Sequence, residues 1–118
     1  MPRNISFFYT TDQIRDRSKT VTRRRGWKFL QRGDILNACV KCQGLKRGEK
    51  IERICQIRVT GVRREMLAFM ASNPRYGKAE SVKEGFPDLS GWQFVKMFCR
   101  HMNCDPYQKV TRIEFEYV

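Results

Sequence analysis

An α+β, strand-dominated single domain spanning residues 1–118, with about five or six strands and two or three flanking helices, is the fold class this sequence predicts. Three observations predict it. The runs 51–62 (IERICQIRVTGV) and 110–118 (VTRIEFEYV) alternate in character with the period of two that a half-buried strand shows. Residues 92–102 repeat apolar side chains at three- and four-residue intervals (Trp92, Val95, Phe98, Cys99, Met102), the period of an amphipathic helix. A length of 118 residues, 41% of them hydrophobic, suffices for one modest core. Strands of this length either close into a small barrel, which removes exposed edges, or lie open against the helices; periodicity alone leaves both open.

Taken in order, the apolar and aromatic run Ile5 to Tyr9 reads as a buried strand. Thr10 with Gln13 has the form of a capping box, which predicts a short helix over 11–17 with Ile14 inward and Asp16 and Arg17 outward. After Ser18 comes KTVTRRR. A regular strand there would put Lys19 and Thr22 on opposite faces, so their cooperation requires a break from extended geometry between Lys19 and Arg23. Gly26 reads as a turn, and Arg32-Gly33-Asp34 as a tight turn into a strand over 35–42. That strand pairs with 51–62 across the basic loop 43–50 (QGLKRGEK), and Gly61 marks a bulge or the strand's end. The stripe Met66, Leu67, Phe69, Met70 predicts a helix over 64–72, stopped by Asn73-Pro74, with 75–78 as a polar linker containing Tyr76. Ser81 and Glu84 have capping-box spacing, but Gly85-Phe86-Pro87 ends any helix there. Ser90 with Gln93 opens the last helix, on which Trp92 faces the core and Lys96 and Arg100 face away. A loop over 103–108 precedes the final strand.

Charge is the strongest functional signal. The net charge of +12, from 24 Lys plus Arg against 12 Asp plus Glu, predicts attraction to polyanions, nucleic acid first and an acidic membrane surface second. Five cations (Lys19, Arg23, Arg24, Arg25, Lys28) fall within ten residues, and charges are rarely buried unpaired, so the stretch reads as a surface built to meet an anion. On that reading Arg23, Arg24, Arg25, Lys28, Lys46 and Arg47 contact phosphates and Trp27 stacks a base. No apolar run approaches the roughly 20 residues of a membrane span, and residues 1–13 lack the apolar core of a secretory signal. Five cysteines, an odd number, fit a reducing compartment, and a soluble cytoplasmic protein is expected. Cys39-x-x-Cys42 with Cys99-x-His101-x-x-Cys104 offers a zinc set on paper. Against it, strand residues three apart face opposite ways and Cys99 belongs to the core stripe, so neither metal nor cofactor is expected.

Several segments together carry a resemblance: ISFFYTT, then KTVTRR followed by Trp27 and Gly33-Asp34, then EGF before an aromatic helix, then RIEFEY. In that order they resemble the ASCH domain family of the PUA-like superfamily, small β-barrels related to an RNA-binding fold. The resemblance implies the barrel rather than the open sheet, and binding of RNA or a nucleotide in a basic cleft at the barrel mouth. Some relatives are amidohydrolases that deacylate N4-acetylcytidine with a lysine, a threonine three residues later and a distant glutamate. Lys19, Thr22 and Glu84 match those positions: Thr22 as nucleophile, Lys19 as its activator, and Glu84 as acid or base near the leaving amine. To serve as a base, Lys19 must titrate about three units below roughly 10.4, and the neighbouring arginines push that way. Lys19 with Arg23 to Arg25 also reads simply as an anion-binding patch, and Glu84 as a cap for Ser81 or an arginine's partner. Because +12 suits a polymer better than a neutral nucleoside, RNA or nucleotide binding leads, deacylation is the alternative, and an interaction module without a nucleic-acid ligand comes third.

Overall fold

The computed structural model describes residues 2–118. Its longest strand, β4 (Arg53–Met66), organises the sheet: β3 (Ile35–Cys39) pairs antiparallel with its first part, and β5 (Lys109–Tyr117) runs antiparallel to it from Ile57 to Met66. β1 (Arg3–Ser6) lies parallel to β3, and β2 (Val21–Arg24) antiparallel to β5, giving the order β1-β3-β4-β5-β2. The sheet curls into a half-barrel whose ladder does not close. Instead the Arg24 guanidinium spans from edge strand β2 to the Ser6 carbonyl of edge strand β1 at 2.6 Å.

The helices are α1 (Thr11–Arg15), α2 (Phe69–Ser72), α3 (Pro74–Lys83) and α4 (Gly91–Met102), with a 3-10 turn at Phe8–Thr10. They divide the apolar side chains into two clusters. One fills the curl of the sheet, with Ile5, Phe7, Ile14, Ile57, Ile113 and Phe115 all buried. The other, Leu67, Met70, Phe94, Val95, Phe98 and Val110, packs α2 and α4 against the far end of β4 and β5. Because helices cover one face of β5 and the curl the other, Val110 through Ile113 are buried on both faces despite their alternating character. Among the described residues no helix is long and apolar enough to cross a membrane.

Several expectations change for physical reasons. The first strand ends at Ser6 rather than Tyr9, because the 3-10 turn takes over and sends Phe8 and Tyr9 outward. α1 stops at Arg15, two residues early; Ile14 is buried, and Asp16 and Arg17 are exposed as expected. Thr10 makes no capping bond; the Gln13 side-chain amide donates to the Gly85 carbonyl at 3.2 Å instead. β3 ends at Cys39, not residue 42. Residues 64–66 are strand rather than helix, because Arg64, Glu65 and Met66 find ladder partners in Thr111, Val110 and Lys109, and backbone pairing overrides the helical spacing. Only Phe69–Ser72 of that stretch is helical. Asn73-Pro74 does stop α2 at Ser72, but Pro74 also begins α3, since a first-turn proline lacks only an N–H that has no helical partner, and the expected polar linker 75–78 becomes part of that helix.

Three local signals match their sequence cues. The register shift between Val59 and Gly61 is a bulge with Thr60 as the extra residue. Gly33, at φ 97°, makes the turn before β3, where Asp34 Oδ2 accepts from the Gln31 N–H at 2.9 Å. Ser90 and Gln93 close a reciprocal capping box at the start of α4. Trp92, however, is 51% exposed. The rest of the stripe holds, with Val95 and Phe98 buried, Cys99 and Met102 packed against the same core, and Lys96 and Arg100 outside; only at the first turn does Gly91 take the inward position, against Gly77 of α3.

That contact leaves no room for a side chain. A Cβ on either Gly77 or Gly91 would penetrate the Met70 carbonyl and meet the other glycine's Cα inside 3 Å. Gly91→Ala is therefore expected to lose at least about 1–3 kcal/mol in urea unfolding, as overpacking against rigid backbone does. Gly61→Ala, whose Cβ would meet only Glu114 Cβ at 3.9 Å, is the control expected to stay within about 1 kcal/mol.

Candidate functional site

The chain leaves regular geometry immediately before β2. The Lys19 N–H donates to the Gln13 carbonyl at 3.2 Å, the Tyr117 hydroxyl donates to the Lys19 carbonyl at 2.6 Å, and the Thr20 N–H donates to the Lys83 carbonyl at 2.8 Å. Lys19 is thereby held outside the ladder, Thr20 meets β5 only through its carbonyl, which accepts from the Phe115 N–H at 3.0 Å, and the strand starts at Val21. The expected break falls here, and its result is that Lys19 and Thr22 line one cavity. Glu84 arrives from elsewhere, at the C-terminal cap of α3, where Gly85 at φ 96° turns the chain toward Phe86. The cavity holds about 90 Å³ and is walled by Phe7, Phe86, Phe94 and Phe98.

Within it the three matched residues converge. Lys19 Nζ donates to Glu84 Oε1 at 2.7 Å and to the Glu84 backbone carbonyl at 2.7 Å, while Glu84 Oε2 accepts from Arg23 Nη1 at 2.9 Å. The Lys19 side chain is only 3% exposed. Burial pushes its amine below the ordinary lysine value; the Glu84 charge and hydrogen bond oppose this, and the Arg24 and Arg23 charges reinforce it, leaving a net downward shift. Thr22 Oγ1 accepts from Arg24 Nε at 3.1 Å, an arrangement that leaves the hydroxyl hydrogen free to be given up. Arg24 is itself enclosed, its guanidinium 4.8 Å from the Phe7 ring centre, and burial brings it down to about 10.

The basic cluster is divided by the fold. Arg23 is not at the surface. Its guanidinium lies between three carboxylates, Glu65 at 2.9 Å, Glu80 at 2.6 Å and Glu84 at 2.9 Å, which leaves it no face for a phosphate. Glu80 also binds Arg112 through both carboxylate oxygens, at 2.5 and 3.1 Å, and the Tyr76 hydroxyl joins the group beside Arg23 at 3.2 Å. Glu65, Glu80, Tyr76 and Arg112 were not foreseen as partners. The one sequence cue was that Arg112 shares its strand parity with apolar Val110. Arg25 and Lys28 are exposed, Arg25 donating to the Met102 carbonyl at 3.1 Å. Lys46 and Arg47 are exposed in the 43–50 loop, away from the cavity lining. Trp27 is half-buried against the core at φ 63°, its ring 5.5 Å from that of Phe29. Glu84 caps nothing at Ser81, whose hydroxyl donates to the Ser90 carbonyl. Among the described residues no group of three His, Cys, Asp or Glu side chains is placed to hold a metal ion.

Two solved structures share this architecture. The crystal structure of hypothetical protein PH0355 matches with a TM-score of 0.59 at 18% identity, over 99% of this chain and 97% of that one. The ASCH domain from Lactobacillus crispatus JV V101 matches with a TM-score of 0.56 at 17% identity, over 98% of this chain and 78% of that one. The fold is therefore ASCH-like, as the sequence resemblance implies. No family model and no curated protein matches the chain.

The buried ion cluster sets an acid limit on stability. Burial alone would raise the Glu80 carboxyl, but hydrogen bonds from Arg112 and Arg23 and their charges outweigh it and hold the group at about 2, against an ordinary 4.5. A depressed folded-state value means that its contribution is complete above about pH 4.5 and lost as pH falls toward 2. Urea midpoints measured across that window are expected to fall steeply for the wild type and less steeply for Glu80→Gln, which is also weaker at pH 7. Parallel slopes would remove Glu80 as the source.

Proposed function

We propose that the protein binds RNA or a nucleotide, seating one base in the cavity beside β2 while exposed cations elsewhere on the surface meet phosphates. The observation that carries this is the cavity's composition: aromatic walls with the hydrogen-bonding groups of Lys19, Thr22, Arg24 and Glu84 converging in it. Apolar walls supply area to a planar ring, and a few convergent polar groups fix its orientation. The surrounding charge favours an anionic ligand, and Arg25, Lys28, Lys46 and Arg47 keep exposed side chains for phosphates. With Arg23 and Arg24 both withdrawn into the protein, about four of the six phosphate contacts remain. Binding of a single-stranded oligoribonucleotide is then expected to weaken with salt at a log-log slope near −3, from roughly 0.7 per phosphate. A slope near zero would end this reading.

A second reading is favoured by one specific arrangement, the Lys19–Glu84 contact beside the Arg24–Thr22 hydrogen bond. It supports amide hydrolysis on an N4-acylated cytosine. Thr22 Oγ attacks the acyl carbonyl and gives its proton to neutral Lys19. As the C–N bond breaks, that proton passes to the departing N4 amine, leaving cytidine and an acyl-threonine ester that water cleaves to the carboxylic acid. Burial favours the neutral lysine this requires, Glu84 holds its Nζ in place, and the Arg24 guanidinium favours negative charge on Oγ. Purified protein is expected to release cytidine and acetate from N4-acetylcytidine, with an acidic limb of the rate profile below the ordinary lysine value of 10.5. Lys19→Ala is expected to release neither while retaining its circular dichroism. An inactive wild type would leave binding as the whole function.

A further inference from the structure

The aromatic residues at the cavity's mouth point the wrong way for a core. The 3-10 turn advances about 120° per residue, so Phe7 and Thr10 face inward together while Phe8 and Tyr9, at 56% and 59% exposure, face solvent. Three large rings are nonetheless ordered there. The Tyr9 ring stacks on the imidazole of His101, from the last turn of α4, with centres 4.3 Å apart and planes within 13°. Phe8 lies edge-on to Tyr9 at 5.4 Å. All three line the mouth of the cavity and all three are exposed. Cations border them: Lys41 Nζ lies 5.9 Å from the Phe8 ring centre, Arg25 reaches the Met102 carbonyl beside His101, and Arg100 is exposed in the same last turn of α4 as His101.

Exposed aromatic faces edged by cations on a protein of net charge +12 are what a single-stranded nucleic acid needs, a π surface for each base and a positive border for its backbone. A free nucleoside held in the cavity would use neither. We propose that Phe8, Tyr9 and His101 form a stacking shelf for the nucleotide adjacent to the one whose base enters the cavity, so that the ligand is a segment of single-stranded RNA. This rests on the base-binding reading above and adds the polymer to it.

The test compares two probes, cytidine 5′-monophosphate and a fluorescently labelled pentacytidylate RNA, by calorimetry and anisotropy at one salt concentration. The wild type is expected to bind the pentamer more tightly than the mononucleotide. That advantage is expected to shrink by about 5- to 150-fold per stacked base lost in Tyr9→Ala and in His101→Ala, and to persist in Tyr9→Phe, which keeps the ring. All three positions are exposed, so unchanged thermal melts should accompany the losses. An unchanged pentamer advantage in both alanine variants would overturn the shelf. So would a wild type that binds both probes equally, although the base site would then stand. A wild type that binds neither would overturn the shelf and the base site together.

Discussion

A guanidinium buried among three carboxylates is the constraint on which the polar half of this molecule depends. Arg23 alone in that position would be prohibitively costly, and so would any one of Glu65, Glu80 and Glu84. Together they neutralise and hydrogen-bond one another, and among the described residues no buried side-chain polar atom lacks a partner. The cluster ties β2 to β4 through Glu65, to α3 through Glu80 and to the chain after α3 through Glu84. Strand alternation does the rest. With Arg23 committed to one face of β2, its neighbours Thr22 and Arg24 must face the other, where they meet across 3.1 Å. An ionic knot beneath the helix thus dictates the arrangement of the site beside it.

The same arrangement explains why the two proposed readings, binding and hydrolysis, draw on one set of atoms. Glu84 is shared, one oxygen held by Arg23 and the other by Lys19, so the lysine most affected by burial is fixed by the group that neutralises the knot. Arg24 is shared as well. It bridges the two unpaired edges of the half-barrel at Ser6 and also orients Thr22. A site assembled from structural partners in this way is rigid before any ligand arrives, which spares the entropy of ordering it.

What could be read from the sequence was local. The α4 capping box, the Gly33 turn and the bulge at Gly61 are each set by a few adjacent residues, and the chain states them directly. Misreadings arose where distant partners decide. Nothing near residue 65 announces that β5 will extend the ladder to Met66, and a helical stripe is what Met66, Leu67, Phe69 and Met70 spell without it. Trp92 fits the apolar repeat of α4, which Val95 and Phe98 keep, but at the first turn the close approach of Gly91 to Gly77 takes the inward place and leaves Trp92 outside. Lys19, Thr22 and Glu84 came from an ordered set of motifs rather than from periodicity, which by itself places Lys19 and Thr22 apart. Arg23 was indistinguishable from its exposed neighbour Arg25, since its carboxylate partners lie 42 to 61 residues away. Phe8 and Tyr9 looked like core because they continue an apolar run, and only the turn that rotates them reveals otherwise.

The glycine contact between α3 and α4 has an evolutionary corollary. Gly77 and Gly91 each exclude a side chain on account of the other and of one carbonyl, so neither position can drift alone: a methyl at either forces the helices apart and lifts α2 with them. Chains that preserve this crossing should keep both positions vacant while the exposed residues beside them, Trp92 and Phe69 included, change freely. Two absent side chains would then trace the descent of this helical layer more faithfully than the basic residues that give the protein its charge.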